Sequence, residues 1–158
     1  MNRIQLTTNL YLDEYIPREL YMLHQHKPHR LVGLLDSRLI NSDQLLRTKF
    51  GQVTINNWWG LNDSDFAKEV AKPAGQRWVR NESGLRLQGT GTGAKLSQHL
   101  FGRASDKLFK LVTSEEVRAY IKENYQLLGI TCIEDNVAWV HSDVRQLYNS
   151  KSLLIVYP

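Results

Sequence analysis

One stretch, residues 104–141, sets the strongest limits on how this chain can fold. Residues 104–112 predict a buried strand, with Leu108, Phe109, Leu111 and Val112 following Asp106. Thr113 followed by Glu116 is the pattern of a capping box, in which each side chain accepts a hydrogen bond at the start of a helix. Gly129 is a typical helix stop. The sequence therefore predicts a strand followed directly by a helix of about four turns.

Short strands are predicted after this helix. Residues 130–133 and 137–141 are apolar runs, and the short polar connection Glu134-Asp135-Asn136 between them is typical of a hairpin. Residues 153–157 predict a last strand. Because successive strands joined by tight turns pair antiparallel, we expect an antiparallel sheet.

Helices are predicted in the first 50 residues. Pro17 begins a helix over residues 18–25, and Asp36 or Ser37 caps a longer helix that ends at Phe50. Residues 31–35 are either a strand or a buried connection, and residues 52–58 alternate as a strand does. Helices early and strands late predict an α+β fold, an antiparallel sheet with flanking helices.

The length of 158 residues predicts one domain, with an N-terminal helical part over residues 1–50 and a core over residues 51–158. The glycine-rich region 60–95 is the least regular, and we expect it to form a rim around a binding site. No apolar run approaches the roughly 20 residues of a membrane helix. The N-terminus has no apolar signal region, so we expect a protein that stays in the cytoplasm where it is made or leaves it without its own signal.

Charge and cysteine content exclude few classes of protein. The net charge of +4 fits weak attraction to any polyanion, but no nucleic-acid-binding pattern accompanies it. Cys132 is the single cysteine, so the chain has neither an internal disulfide nor a cysteine-based zinc site. Its apolar surroundings predict a buried and unreactive thiol.

Two polar stretches carry the candidate chemistry. The first reads Ser-Gln-His-Leu-Phe-Gly-Arg-Ala-Ser-Asp and contains His99 and Asp106, and the second reads Trp-Val-His-Ser-Asp and contains His141. Two histidines and one carboxylate match the three protein ligands of a catalytic zinc, whose fourth position is left to water. Spacing alone favours plainer interpretations: a surface histidine, a strand-edge acid and a core histidine beside Trp139.

The complete pattern is more specific. Ser97-x-His99-x-x-Gly102-x-Ala104-x-Asp106, followed by Trp139-x-His141-x-Asp143, resembles the zinc D,D-carboxypeptidase family. That family includes D-Ala-D-Ala peptidases and dipeptidases, the L-alanyl-D-glutamate endopeptidases of phage endolysins and, by shared fold, the Hedgehog signalling domain. Ser83-Gly84-Leu85-Arg86 resembles the Ser-Gly-Tyr-Arg segment of the family. The resemblance covers roughly residues 50–145.

The resemblance implies a role for each matching residue. His99, Asp106 and His141 would hold the zinc ion, and Arg86 would steady the substrate carbonyl or carboxylate. Ser97 would steady the substrate or a residue next to the metal ligands, and Trp139 would contribute to substrate binding. Asp143 would orient a histidine or pair with Arg103 or Arg145.

The catalytic base that the resemblance implies lies six positions before the last histidine. That position is Asp135, an aspartate where the family has glutamate, so its carboxylate reaches one methylene less. Glu134, one residue earlier, is the alternative candidate for the base. In either case the base would take a proton from the zinc-bound water and pass it to the leaving amine.

The expected function is a monomeric zinc peptidase of phage or prophage type. It would hydrolyse an amide bond in peptidoglycan stem peptides, acting on the cell wall from the host cytoplasm or from a virion, with neither nucleic acid nor membrane as a partner. The alternatives are a non-hydrolytic zinc-bound structural or peptide-binding module of the same fold, and a zinc peptidase with a different amide substrate. His24, His26 and His29 are either a second metal site or a solvated helix end.

Overall fold

The computed structural model describes residues 3–89, 94–147 and 152–158, and in these ranges it is an α+β fold with five helices and one five-stranded sheet. The helices are α1 (Arg18–His24), α2 (His29–Val32), α3 (Ser37–Phe50), α4 (Asp63–Val70) and α5 (Ser114–Leu128). The strands are β1 (Val53–Thr54), β2 (Ala104–Phe109), β3 (Cys132–Glu134), β4 (Val140–Asp143) and β5 (Leu154–Val156). Short 3₁₀ turns occur at Leu12–Glu14, Ala74–Gln76 and Gln98–Phe101.

The sheet is mixed, which corrects the prediction of a purely antiparallel sheet. The strand order is β1-β2-β4-β3-β5, and all neighbours are antiparallel except β3 and β5, which are parallel. The reason is topological: β4 runs opposite to β3 and returns the chain to the end of the sheet where β3 begins. From there β5 starts beside β3 and runs in the same direction.

The two long helices start and end as the sequence predicts. The Asp36 side chain accepts a hydrogen bond from the Arg38 amide at 3.0 Å and caps α3. Thr113 and Glu116 form the capping box of α5, and Gly129 follows it in a left-handed conformation with φ of 70°. These local caps fix the boundaries of both helices independently of the rest of the fold.

Both helices cover one face of the sheet. Leu46 of α3 and Val117 and Ile121 of α5 pack in one buried cluster with Ile133 and Val140 of the sheet. A second cluster joins the N-terminal segment to β1 and the chain after β4, through residues that include Leu12, Tyr15, Val53 and Val144. The opposite face of β2 and β4 is not covered by α3 or α5.

Three shorter predictions differ from the structure. Residues 31–35 contain no strand, because α2 and the turn after it occupy this part of the chain. The strand predicted over residues 52–58 is limited to β1. The region 60–95 contains α4, whose cap is the Asn62 side chain accepting from the Asp65 amide at 2.9 Å. Residues 90–93 of that region lie outside the described residues.

No helix within the described ranges is both long and apolar enough to span a membrane.

Candidate metal centre

Three candidate ligands meet on the open face of β2 and β4. Asp106 of β2 lies directly opposite His141 of β4 in the antiparallel register, so their side chains leave the sheet on the same face. His99 comes from the 3₁₀ turn at Gln98–Phe101, and Gly102 then directs the chain into β2 with a left-handed φ of 63°.

The three donor atoms lie at distances that suit a metal ion. His99 Nε2 is 3.3 Å from both His141 Nδ1 and Asp106 Oδ1. His141 Nδ1 is 2.8 Å from Asp106 Oδ1. Donors bound at about 2.0–2.1 Å to a tetrahedral zinc would lie about 3.3–3.4 Å apart. The group could therefore hold a metal ion if the distance between His141 Nδ1 and Asp106 Oδ1 lengthened slightly.

No second cluster of this kind occurs within residues 3–89, 94–147 and 152–158. His24, His26 and His29 accordingly do not form a metal-binding group, and His26 and His29 are exposed around the α1–α2 turn.

The ring nitrogens that face away from the centre are also held. His99 Nδ1 lies 2.7 Å from the Gly84 carbonyl oxygen, which can only accept, so this nitrogen donates and Nε2 is the ring nitrogen that faces the centre. His141 Nε2 lies 3.4 Å from Asp143 Oδ2. Arg145 Nε donates to both oxygens of Asp143, at 2.9 and 3.0 Å. Hydrogen bonds of this kind orient the histidines of metal sites.

Electrostatics favour ionised groups at the centre. Burial disfavours the charged form of Asp106, but hydrogen bonds from His141 and His99 outweigh it and hold the pKa of that carboxyl well below its ordinary value. Burial alone would lower the pKa of His141, but hydrogen bonds to Asp106 and Asp143 raise it to about 9. The centre is therefore built around a carboxylate that attracts positive charge.

The centre opens into a cavity of about 480 Å³. Four further residues that the sequence singled out line this cavity, namely Arg86, Ser97, Glu134 and Trp139. Arg145, Leu96 and Val156 line it as well, and no sequence pattern pointed to the last two. Val156 reaches the cavity because β5 lies beside β3, a pairing that depends on contacts distant in sequence.

Asp135 lies away from the cavity. Its carboxylate is 2.8 Å from Lys122 Nζ and 3.2 Å from Arg118 Nε, both on α5. Glu134 ends β3, two positions after Cys132, and Cys132 pairs with Asp143 across the sheet. Alternation along a strand therefore puts the Glu134 side chain on the face of His141 and Asp143, and it directs the next side chain elsewhere.

No family model, no curated protein and no solved structure matches this chain.

Proposed function

We propose that this protein is a zinc-dependent peptidase that hydrolyses an amide bond in peptidoglycan stem peptides. The observation that carries the proposal is the convergence of His99 Nε2, Asp106 Oδ1 and His141 Nδ1 at the floor of an open cavity. The motif spacing that resembles the D,D-carboxypeptidase family supports the substrate class and the Hedgehog/D,D-peptidase fold.

The metal in this proposal is zinc. Two imidazoles and one carboxylate are typical of catalytic zinc sites, in which three protein ligands leave one position open. The three donors include no thiolate, because Cys132, which pairs with Asp143 in the sheet, is not one of them. When bound, the ion would supply an activated water and a Lewis acid for the scissile carbonyl.

Glu134 is the general base in this proposal. It lines the cavity, whereas the carboxylate of Asp135 is engaged by two cations of α5. The Glu134 carboxylate would accept the proton of the attacking water and deliver it to the leaving amine. A positioned general base contributes about 10²–10⁴-fold in rate.

The cavity walls suit a peptide. Arg86 offers a cation for a substrate carbonyl or carboxylate, Ser97 offers a hydroxyl, and Trp139 and Leu96 offer apolar surface. A net charge of +4 favours approach to an anionic cell wall. We propose that the protein is a monomer of phage or prophage origin. It would act on the cell wall, which it would reach from the host cytoplasm or from a virion.

The second candidate is a metal-bound module that binds peptide without cleaving it. The observation in its favour is that Asp135, the position where the resemblance implies the base, is held in ion pairs outside the cavity. A peptidase with another amide substrate uses the same centre and differs only in which peptides the cavity admits.

Digestion of purified peptidoglycan, read by mass spectrometry, tests the proposal. We expect wild-type protein with one bound zinc to release defined stem-peptide fragments, and His99→Ala to lose both metal and cleavage. Glu134→Gln is expected to retain zinc and to lose cleavage by about 10²-fold or more, as removal of a general base predicts. Asp135→Asn is the matched control and should remain within a few-fold of wild type.

Each outcome separates the candidates. Zinc-loaded wild type that cleaves no wall material but binds stem peptide would favour the module, and cleavage of other amides would redirect the substrate. Loss of activity in Asp135→Asn with full activity in Glu134→Gln would overturn the assignment of the base. A protein that binds no metal would contradict all three functions.

A further inference from the structure

A second polar cluster lies behind the metal centre, between the sheet and α3. Lys107 and Asp43 are both fully buried, and Lys107 Nζ lies 2.9 Å from Asp43 Oδ1. Lys107 Nζ also donates to the hydroxyl oxygens of Ser105 and Ser142, each at 2.7 Å. Asp43 Oδ2 accepts from Ser105 Oγ at 2.6 Å and from Tyr15 OH at 3.1 Å. We call these five residues the rear network.

Stability alone is a weak reason for such a cluster. Two charges removed from water incur a desolvation penalty, and apolar residues of similar volume are often as stabilising as a buried ion pair. Buried ionic groups are better explained where they fix one arrangement of the elements that they join.

The network joins the strands that carry the ligands. Ser105 and Lys107 are the two neighbours of Asp106 on β2, and Ser142 is the neighbour of His141 on β4. Because successive side chains alternate between the faces of a strand, these three residues point away from the metal centre while the ligands point towards it. Lys107 thus bridges β2 and β4 directly behind the two ligands that they carry.

Tyr15 extends the same connection to the third ligand. Burial, with the nearby Asp43 carboxylate, raises the pKa of Tyr15 well above its ordinary value, so its hydroxyl stays protonated and donates to Asp43. The Tyr15 backbone carbonyl accepts from the Leu85 amide at 2.6 Å. A Cβ atom on Gly84 would lie 2.5 Å from the same carbonyl oxygen, so this segment packs closely on Tyr15. The Gly84 carbonyl in turn holds His99 Nδ1.

We propose that Lys107 and Asp43 are positioning residues of the metal centre. Their ion pair fixes β2, β4 and the Gly84 segment relative to one another, so that the donor atoms of His99, Asp106 and His141 are held 2.8–3.3 Å apart. This inference rests on the metal binding of the proposed function, but it concerns residues that touch neither metal nor substrate.

The test compares two variants in zinc affinity. The single change Lys107→Met leaves Asp43 buried without its partner and endangers folding, so the experimental variant is the double substitution Lys107→Met/Asp43→Asn. The control is Ile121→Ala, which removes fully buried apolar volume from α5 in the cluster between the helices and the sheet. Folded, metal-free proteins are titrated with zinc against a chromophoric chelator, and with Co²⁺ followed by its visible absorption.

We expect the double variant to bind zinc about 10–100-fold more weakly, the range seen when residues that orient metal ligands are changed. Its Co²⁺ spectrum should also differ from that of wild type. Ile121→Ala should bind within about twofold of wild type, since no ligand strand is uncoupled.

Two results would overturn the inference while leaving the proposed function in place: an unchanged zinc affinity in the double variant, or an equal loss in Ile121→Ala. Wild-type protein that binds no zinc would overturn both.

Discussion

Gly102 lies between the 3₁₀ turn that carries His99 and the strand β2 that carries Asp106. Its φ is 63°, and a Cβ atom there would lie 1.9 Å from the Leu34 carbonyl oxygen. Gly129 is a matched control, because its φ is 70° but no atom lies within 4 Å of its Cβ position. Gly129→Ala should lose about 1–2 kcal/mol of unfolding free energy, the conformational cost alone.

Gly102→Ala should lose clearly more than Gly129→Ala, because the backbone at Leu34 must also move. Urea unfolding monitored by tryptophan fluorescence measures both values. Equal losses in the two variants would show that the close approach to Leu34 has no energetic weight.

Cys132 provides a second prediction at the scale of a residue. Its thiol is buried, and that burial, with the Asp143 carboxylate, raises its pKa to about 12. The thiolate is the reactive form, so only about one thiol in 10⁴ is ionised at pH 8. We expect iodoacetamide to leave the folded protein unmodified and to add one equivalent in urea, as counted by mass spectrometry. Rapid alkylation of the native protein would contradict the burial of the thiol.

The three candidate ligands were more predictable from sequence than the candidate base. His99, Asp106 and His141 were singled out by the resemblance of the complete motif and not by spacing alone, and the structure brings their donor atoms together. Glu134 and Asp135 differ by one position, and one position at the end of a strand reverses the direction of a side chain. Which of the two side chains faces the cavity depends on the register of β3 with β4, and no local sequence pattern specifies that register.

At the scale of elements, the start of α5 can be tested by its cap. Thr113 Oγ1 accepts from the Glu116 amide at 3.2 Å, and the Glu116 carboxylate accepts from the Thr113 amide at 2.8 Å. Thr113→Ala should lower the free energy of unfolding by about 1 kcal/mol. The exposed Glu123→Ala, in the middle of the same helix, should change it by no more than about 0.5 kcal/mol.

Thermal unfolding followed by circular dichroism checks both variants. A loss in Glu123→Ala as large as that in Thr113→Ala would show that the effect is not specific to the cap.

The same contrast explains which elements the sequence predicted. The helices α3 and α5 carry their own signals, since Asp36, Thr113 and Gly129 act on neighbouring backbone groups. The direction of β5 was not predictable, because a strand of three residues takes its partner from the packing of the whole sheet. The predicted α+β class is confirmed for this reason: it depends on the order of elements and not on the pairing of each strand.

At the scale of the molecule, the two faces of the sheet differ in what they carry. The face towards α3 and α5 holds an apolar cluster and the rear network, and the other face of β2 and β4 holds the metal centre and its cavity. The three ligands come from two parts of the chain about 40 residues apart and meet only in the folded sheet. The unfolded chain therefore has no comparable site, and a metal that binds to this group would couple its binding to folding.

This coupling predicts the effect of metal on stability. A metal that binds only the folded state at about 1,000 times its Kd adds about 4 kcal/mol. For a domain of this size, that corresponds to a rise in Tm of about 8–16 °C. Differential scanning fluorimetry with zinc at increasing free concentration should show this rise in wild type, and excess chelator should reverse it. Asp106→Asn, which removes the charge of the central carboxylate at almost constant volume, should show at most a small rise. An equal rise in wild type and Asp106→Asn would place the stabilising zinc elsewhere on the protein.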